Sequence, residues 1–158
     1  MNNDFNLQTK EEKKEVYLDT LNYKNEKISY GLVLLGLVFN VLYFITLYNN
    51  DGQFYYTYNM GLSVIYNLLF MLFVFLSAEN IKVYNKKYSY ALLAIGIMQI
   101  VRIFNYPLDA LNNGELTSNQ YTWICIYLSL SALLLILGAV IGFIRSTMLE
   151  NYRKSKGE

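Results

Sequence analysis

The sequence predicts an all-α fold, a polytopic membrane protein whose four transmembrane helices form a bundle. Two observations lead to this prediction. The apolar residues, which make up 54% of the 158-residue chain, are collected into four runs of about twenty residues. A run of that length is roughly what a helix needs to cross the hydrocarbon core of a bilayer. The connecting segments also alternate between basic ones and ones without any basic residue, a pattern typical of membrane helices that thread back and forth.

The basic residues indicate how the helices are oriented. Twelve of the thirteen Lys and Arg residues precede the first run, separate the second from the third, or end or follow the fourth. Because basic loops tend to stay in the cytoplasm, this distribution predicts that both termini are cytoplasmic. We therefore expect an integral membrane protein surrounded by membrane lipids, in the cytoplasmic membrane if the chain is bacterial.

The chain divides into three predicted regions. Residues 1–28 form a polar cytoplasmic segment with a charged helix over 10–28. The apolar stripe of this helix is thin. The segment could therefore be exposed to solvent before the first span, or it could bind the membrane surface or a partner. The transmembrane domain covers residues 29–147, and residues 148–158 form a charged cytoplasmic tail. The four spans are expected at residues 30–48, 60–78, 88–106 and 121–144.

The two halves of the chain resemble each other. Seven positions between Lys27 and Phe44 recur between Lys87 and Phe104 at a constant offset of 60 residues. Both halves would start and end in the cytoplasm, so the match is consistent with a parallel duplication of a helical hairpin. Coincidence in a composition rich in Tyr, Leu and Ile explains the match equally well.

Arg102, the thirteenth basic residue, lies inside the third apolar run. An arginine near the centre of a span costs about 2.5–3.5 kcal/mol to insert, so polar neighbours are expected. Gln99, Arg102 and either Asn105 or Tyr106 follow at helical spacing and share one face. The first two spans offer further polar residues at similar depth, namely Asn40, Tyr43, Tyr66 and Asn67. This cluster predicts a site for an anion or carboxylate. The alternative is a structural arginine, held by these side chains, by backbone carbonyl groups or by a partner subunit.

Small residues on the fourth span predict close helix packing. Gly138 and Gly142 form a GxxxG motif, and Ser131 lies one repeat earlier on the same face. Small side chains allow two helix backbones to approach each other. The motif is compatible with packing inside the bundle and with dimerisation.

The residue inventory argues against catalysis. The chain has no His and a single Cys, Cys125, so we expect no metal site and no cofactor. A net charge of +1 gives no reason to expect nucleic-acid binding. We therefore expect a non-catalytic protein, a small accessory or assembly subunit of a larger membrane complex that binds other membrane subunits or further copies of itself. The alternative is a small oligomeric transporter or channel that contacts an anionic solute through Arg102.

Overall fold

A computed structural model describes residues 12–13, 15–20, 25–48, 58–104, 106–112, 114 and 116–157. This part of the chain is helical and contains no strand, which confirms the all-helical prediction. Residues 15–20 are helical, and the helices that follow are α1 (Lys27–Tyr48), α2 (Tyr58–Lys82), α3 (Lys86–Ile103), α4 (Tyr106–Asn112) and α5 (Ser118–Lys156).

Three of the described helices are long and apolar enough to cross a membrane. They are α1, α5 and the Gly61–Lys82 part of α2. Their composition agrees with the predicted location in a membrane. The helix α3 is shorter, with 18 residues, and it carries Lys86, Lys87 and Arg102.

The four longer helices pack side by side. Helices α1 and α3 each lie between α2 and α5, and the short α4 packs against α3 and α5. Neighbouring helices are antiparallel. The Tyr30 hydroxyl at the start of α1 donates to Glu79 near the end of α2 at 2.7 Å. Val33, also early in α1, contacts Gly138 in the later part of α5.

Two of the buried apolar clusters in the described part of the chain lie between the longer helices. The first surrounds Val33, Val74 and Leu135, and the second surrounds Tyr43 and Leu128. The outward faces are apolar as well, including four exposed side chains of α2: Leu68, Leu69, Leu72 and Phe73. Apolar side chains on both faces are typical of helices whose surroundings are lipid.

Small residues bring α5 close to its neighbours. A Cβ atom added to Gly138 would lie 2.7 Å from Val33 Cγ2 and 3.2 Å from the Ser29 carbonyl oxygen. One added to Gly142 would lie 3.0 Å from Ile81 Cγ2. The two glycines of the GxxxG motif therefore face the inside of the bundle, where they allow α5 to pack against α1 and α2.

Some helix ends differ from the predicted spans. Helix α3 ends at Ile103 rather than at residue 106, and Pro107 lies in the first turn of α4. Proline suits that turn because its missing N–H would have no partner within the helix. Helix α5 continues through the predicted tail to Lys156. At the other end of the chain, Asn25 and Glu26, inside the predicted 10–28 helix, are not helical. Residues 10, 11, 14 and 21–24 of that prediction lie outside the described part of the chain.

Candidate functional site

Arg102 lies in the last turn of α3 and is only 7% exposed. Its Nη2 atom donates to the Tyr43 hydroxyl oxygen at 3.2 Å. The same atom donates to Oδ1 of Asn67. Because Tyr43 belongs to α1 and Asn67 to α2, the guanidinium of Arg102 connects three helices.

Aromatic rings surround the same guanidinium. Its central carbon lies 4.6 Å from the ring centroid of Tyr43, 4.9 Å from that of Tyr66 and 5.8 Å from that of Phe70. Each of these distances is within the range of cation–π attraction. Tyr66 is itself exposed at the outer surface of α2, so one side of this aromatic shell borders the exterior.

A second polar group lies one turn earlier on α3. Gln99 Nε2 donates to Asn40 Oδ1 at 2.7 Å and to the Ser131 hydroxyl oxygen at 3.4 Å. The Ser131 hydroxyl in turn donates to the Gly36 carbonyl oxygen at 2.8 Å. These bonds join α3 to α1 and α5. Together with the Arg102 contacts they form one buried polar cluster, which comprises Asn40, Tyr43, Tyr66, Asn67, Gln99, Arg102 and Ser131.

Three buried polar atoms of this cluster have no hydrogen-bond partner in the part of the chain that the structure describes. They are Arg102 Nη1, Asn40 Nδ2 and Gln99 Oε1. Among the described side chains, none of the ion pairs involves Arg102. A buried donor without an acceptor costs about 1–3 kcal/mol, more if it is charged. The guanidinium therefore retains capacity for another acceptor.

The structure brings together six of the eight residues predicted for the site. They are Arg102, Gln99, Asn40, Tyr43, Tyr66 and Asn67. Asn105 and the side chain of Tyr106 lie outside the described residues. The side chains of Asp51, Asp109 and Glu115 also lie outside the described part of the chain.

The sequence prediction did not place Phe70 beside Arg102 or Ser131 beside Gln99. Phe70 lies one turn after Tyr66 on the same face of α2, and that spacing could have indicated its place beside Arg102. Ser131 was assigned to helix packing alone, yet its hydroxyl also links Gln99 to the backbone of α1. A hydroxyl among small residues does not by itself indicate which helix it will meet.

A second buried arginine contact lies at the other end of the bundle. Arg145 Nη1 donates to both carboxylate oxygens of Glu26, at 2.7 and 2.6 Å, and the Glu26 side chain is only 1% exposed. The same carboxylate accepts the Ser29 backbone N–H at 3.1 Å and so caps the start of α1. The sequence offered no signal for this pair, because the two residues are 119 positions apart.

Tyr84 belongs to this same end, in the turn between α2 and α3. The turn is held by the Ser146 hydroxyl, which donates to the Tyr84 carbonyl oxygen at 2.6 Å. Burial, followed by the nearby Glu26 carboxylate, raises the pKa of the Tyr84 phenol to about 12. We call this region the basic end, since Lys27, Lys82, Lys86, Lys87 and Arg145 all lie there.

Comparisons with known proteins identify no relative of this chain. No protein-family model, no curated protein and no solved structure matches this chain. Among the described residues, no three His, Cys, Asp or Glu side chains come close enough together to hold a metal ion. A function therefore has to be inferred from the contacts and charges of the chain itself.

Proposed function

We propose that the chain crosses a membrane four times, through α1, α2, α3 and α5, with both termini in the cytoplasm. The 18 residues of α3 span about 27 Å, close to the roughly 30 Å of a hydrocarbon core. The proposal is supported by the concentration of basic residues at one end. For a bacterial chain the membrane is the cytoplasmic one.

Single-cysteine labelling tests this topology. In a Cys125→Ser background, Lys87→Cys should react with a membrane-impermeant thiol reagent only after the cells are opened. A cysteine placed between residues 49 and 57 should react in intact cells. Labelling of Lys87→Cys but not of residues 49–57 in intact cells would show that the orientation is reversed. Labelling of both positions from the same side would show that α2 does not cross the membrane.

The proposed duplication of a helical hairpin is supported by equivalent packing of α1 and α3. Gly36 and Gly96 are both buried against α5, where added Cβ atoms would meet Leu135 and Ile136. Ser29 and Ser89, seven residues before each glycine, are buried as well. If the repeat is genuine, Gly36→Leu and Gly96→Leu should destabilise the protein by similar amounts.

Within this topology we propose a non-catalytic role as a small accessory or assembly subunit of a larger membrane complex. One observation carries the proposal. The polar residues in the interior bond to each other across helices, with Gln99 meeting Asn40 and Arg102 meeting Tyr43 and Asn67. A network of this kind holds helices in register, whereas a conduction path exposes polar groups to water.

Native mass spectrometry of the tagged protein, released gently from its own membrane, tests this role. We expect the protein to be released together with different membrane proteins in a fixed ratio. A matched sample of the Leu72→Arg variant, changed on the exposed face of α2, shows whether that face contributes to assembly. A homo-oligomer or a monomer as the sole species would contradict the subunit role.

A second candidate function is binding of a small anion or carboxylate at Arg102, as in a small transporter or channel. It is favoured by one observation, the buried Nη1 atom without an acceptor among the described residues. A carboxylate that reached this atom would form a charge-assisted hydrogen bond, about twice as strong as a neutral one.

Thermal unfolding in acetate, compared with an equal concentration of a non-coordinating salt, tests the second candidate. The wild-type protein should gain several degrees in acetate, and Arg102→Gln should lose that gain. Lys27→Gln, which removes an exposed cation at the start of α1, far along that helix from Tyr43, is the matched control and should keep it. An equal shift in all three proteins, or none in the wild type, would exclude the anion site.

A further inference from the structure

A groove of about 630 Å³ lies at the basic end, remote from the Arg102 cluster. It is bounded on one side by the turn between α2 and α3 and on the other by the last turns of α5. Its basic side chains are Lys86, Lys87, Arg153 and Lys154. Four cations from two separate parts of the chain therefore converge on one concave surface.

A single carboxylate, that of Glu150, is present among the described residues that line the groove. It lies 2.7 Å from the Lys154 ammonium and 3.5 Å from that of Lys86. Lys87 is exposed and forms no ion pair within the described part of the chain. Lys86, Lys87 and Lys154 outnumber this carboxylate, so the lysines alone give the groove an excess of positive charge.

The groove lies where the apolar surface of the bundle ends. Tyr90, one of its lining residues, is 58% exposed, and its ring meets the Phe143 ring edge-on at 5.1 Å between centroids. The Lys86 ammonium lies 5.1 Å from the same Phe143 centroid. Tyrosines and lysines with apolar stems are typical of the headgroup level of a membrane. In the topology proposed above, the cations would therefore lie at the height of lipid phosphates.

We propose that this groove binds the phosphate of an anionic phospholipid headgroup. The three lysines of the groove would contact the phosphate. Val83 and Tyr90, its exposed apolar residues, would contact the glycerol and upper acyl carbons. Charge complementarity selects an anionic lipid, since a zwitterionic headgroup brings its own cation to the groove. The exposed apolar side chains favour a lipid over free phosphate. The proposal depends on membrane insertion but not on either function proposed above.

Lipid titration of the full-length protein, followed by native mass spectrometry, tests the proposal. Phosphatidylglycerol should bind to the detergent-solubilised wild type more tightly than phosphatidylcholine of the same acyl length. The Lys87→Gln/Lys154→Gln variant should bind phosphatidylglycerol at least about tenfold more weakly. Lys27→Gln/Lys82→Gln removes the same charge from the same end but outside the groove, and it should bind within about twofold of the wild type.

Three results would overturn the proposal: equal weakening in the two double variants, equal affinity for the two lipids, or displacement of phosphatidylglycerol by millimolar inorganic phosphate. The last result would assign the groove to free phosphate. Should the double variant be poorly folded without lipid, the single Lys87→Gln variant replaces it. Because Lys87 is exposed, its replacement should not impair folding. Unchanged affinity of the Lys87→Gln variant for phosphatidylglycerol would also contradict the proposal.

Discussion

The two buried arginine contacts of this protein are built differently. At the basic end, the Arg145 side chain is 24% exposed and meets both oxygens of the Glu26 carboxylate. In the interior, Arg102 is 7% exposed and meets a hydroxyl, an amide oxygen and aromatic rings. One positive charge is therefore neutralised by an opposite charge, while the other is surrounded by neutral groups among the described residues.

This difference determines whether breaking the contact leaves a charge or a neutral group without its partner. Removing one partner of a buried ion pair leaves the other charge uncompensated, which is strongly destabilising. Removing Arg102 would take one donor from each of the oxygens of Tyr43 and Asn67, and these oxygens are neutral, so the loss costs less than an uncompensated charge. Loss of charge should consequently destabilise the protein more at the basic end than in the interior.

The largest expected effect is that of Glu26→Gln. Glutamine keeps an acceptor for the Ser29 N–H but removes the charge that faces Arg145, so the free energy of unfolding should fall by roughly 2–3 kcal/mol. Titration with SDS in mixed micelles, followed by circular dichroism, measures this loss. Glu150→Gln, which removes an exposed carboxylate, should cost under about 1 kcal/mol. If the free energy of unfolding falls equally in the two variants, the buried ion pair contributes no more to stability than an exposed carboxylate.

A smaller effect is expected for Gln99→Leu. The change removes the hydrogen bonds to Asn40 and Ser131 but fills the same space with an apolar side chain. Bonds of this kind within membrane helices contribute about 0.6 kcal/mol each, so the loss should be about 1 kcal/mol. Ser129→Ala on the exposed face of α5 is the control and should change little. A loss above about 3 kcal/mol for Gln99→Leu would show that the polar cluster is more strongly coupled than its neutral composition implies.

An effect confined to alkaline pH is expected at Tyr84. Folding raises the pKa of Tyr84 from its ordinary 10.0 to about 12, so the contribution of this phenol to stability is present below pH 10. That contribution is lost as the pH rises from 10 towards 12, where the unfolded chain would be ionised and the folded one neutral. Tyr84→Phe should therefore lose less stability than the wild type over this interval. Parallel curves for the two proteins would show that Tyr84 is not perturbed.

Much of the helical content could be predicted, because apolar runs of membrane length have few alternatives to a helix. The grouping of Gln99 with Arg102 was also predictable, since residues three apart share a face. The end of α3 at Ile103 was not, because Pro107 marks the start of α4 as readily as the end of α3. Proline interrupts the backbone hydrogen bonds of a helix but does not determine the residue at which the preceding helix ends.

Contacts between distant parts of the chain were the least predictable. Depth in the membrane suggested that Asn40, Tyr43 and Asn67 could meet Arg102, but depth does not specify rotation about a helix axis. Glu26 and Arg145 each appeared to be ordinary charges near a membrane surface. Their pairing depends on how α5 packs against the start of α1, which is governed by the close approach at Gly138.

Replacement of Arg102 by methionine, with the free energy of unfolding measured in micelles, tests the contrast between the two arginines most directly. Methionine fills a similar volume without a charge, and only neutral oxygens lose a partner. We expect a loss of no more than roughly 2 kcal/mol, or a gain. A loss above roughly 3 kcal/mol, comparable to that of a broken buried ion pair, would show that a carboxylate compensates Arg102 after all and would contradict the contrast.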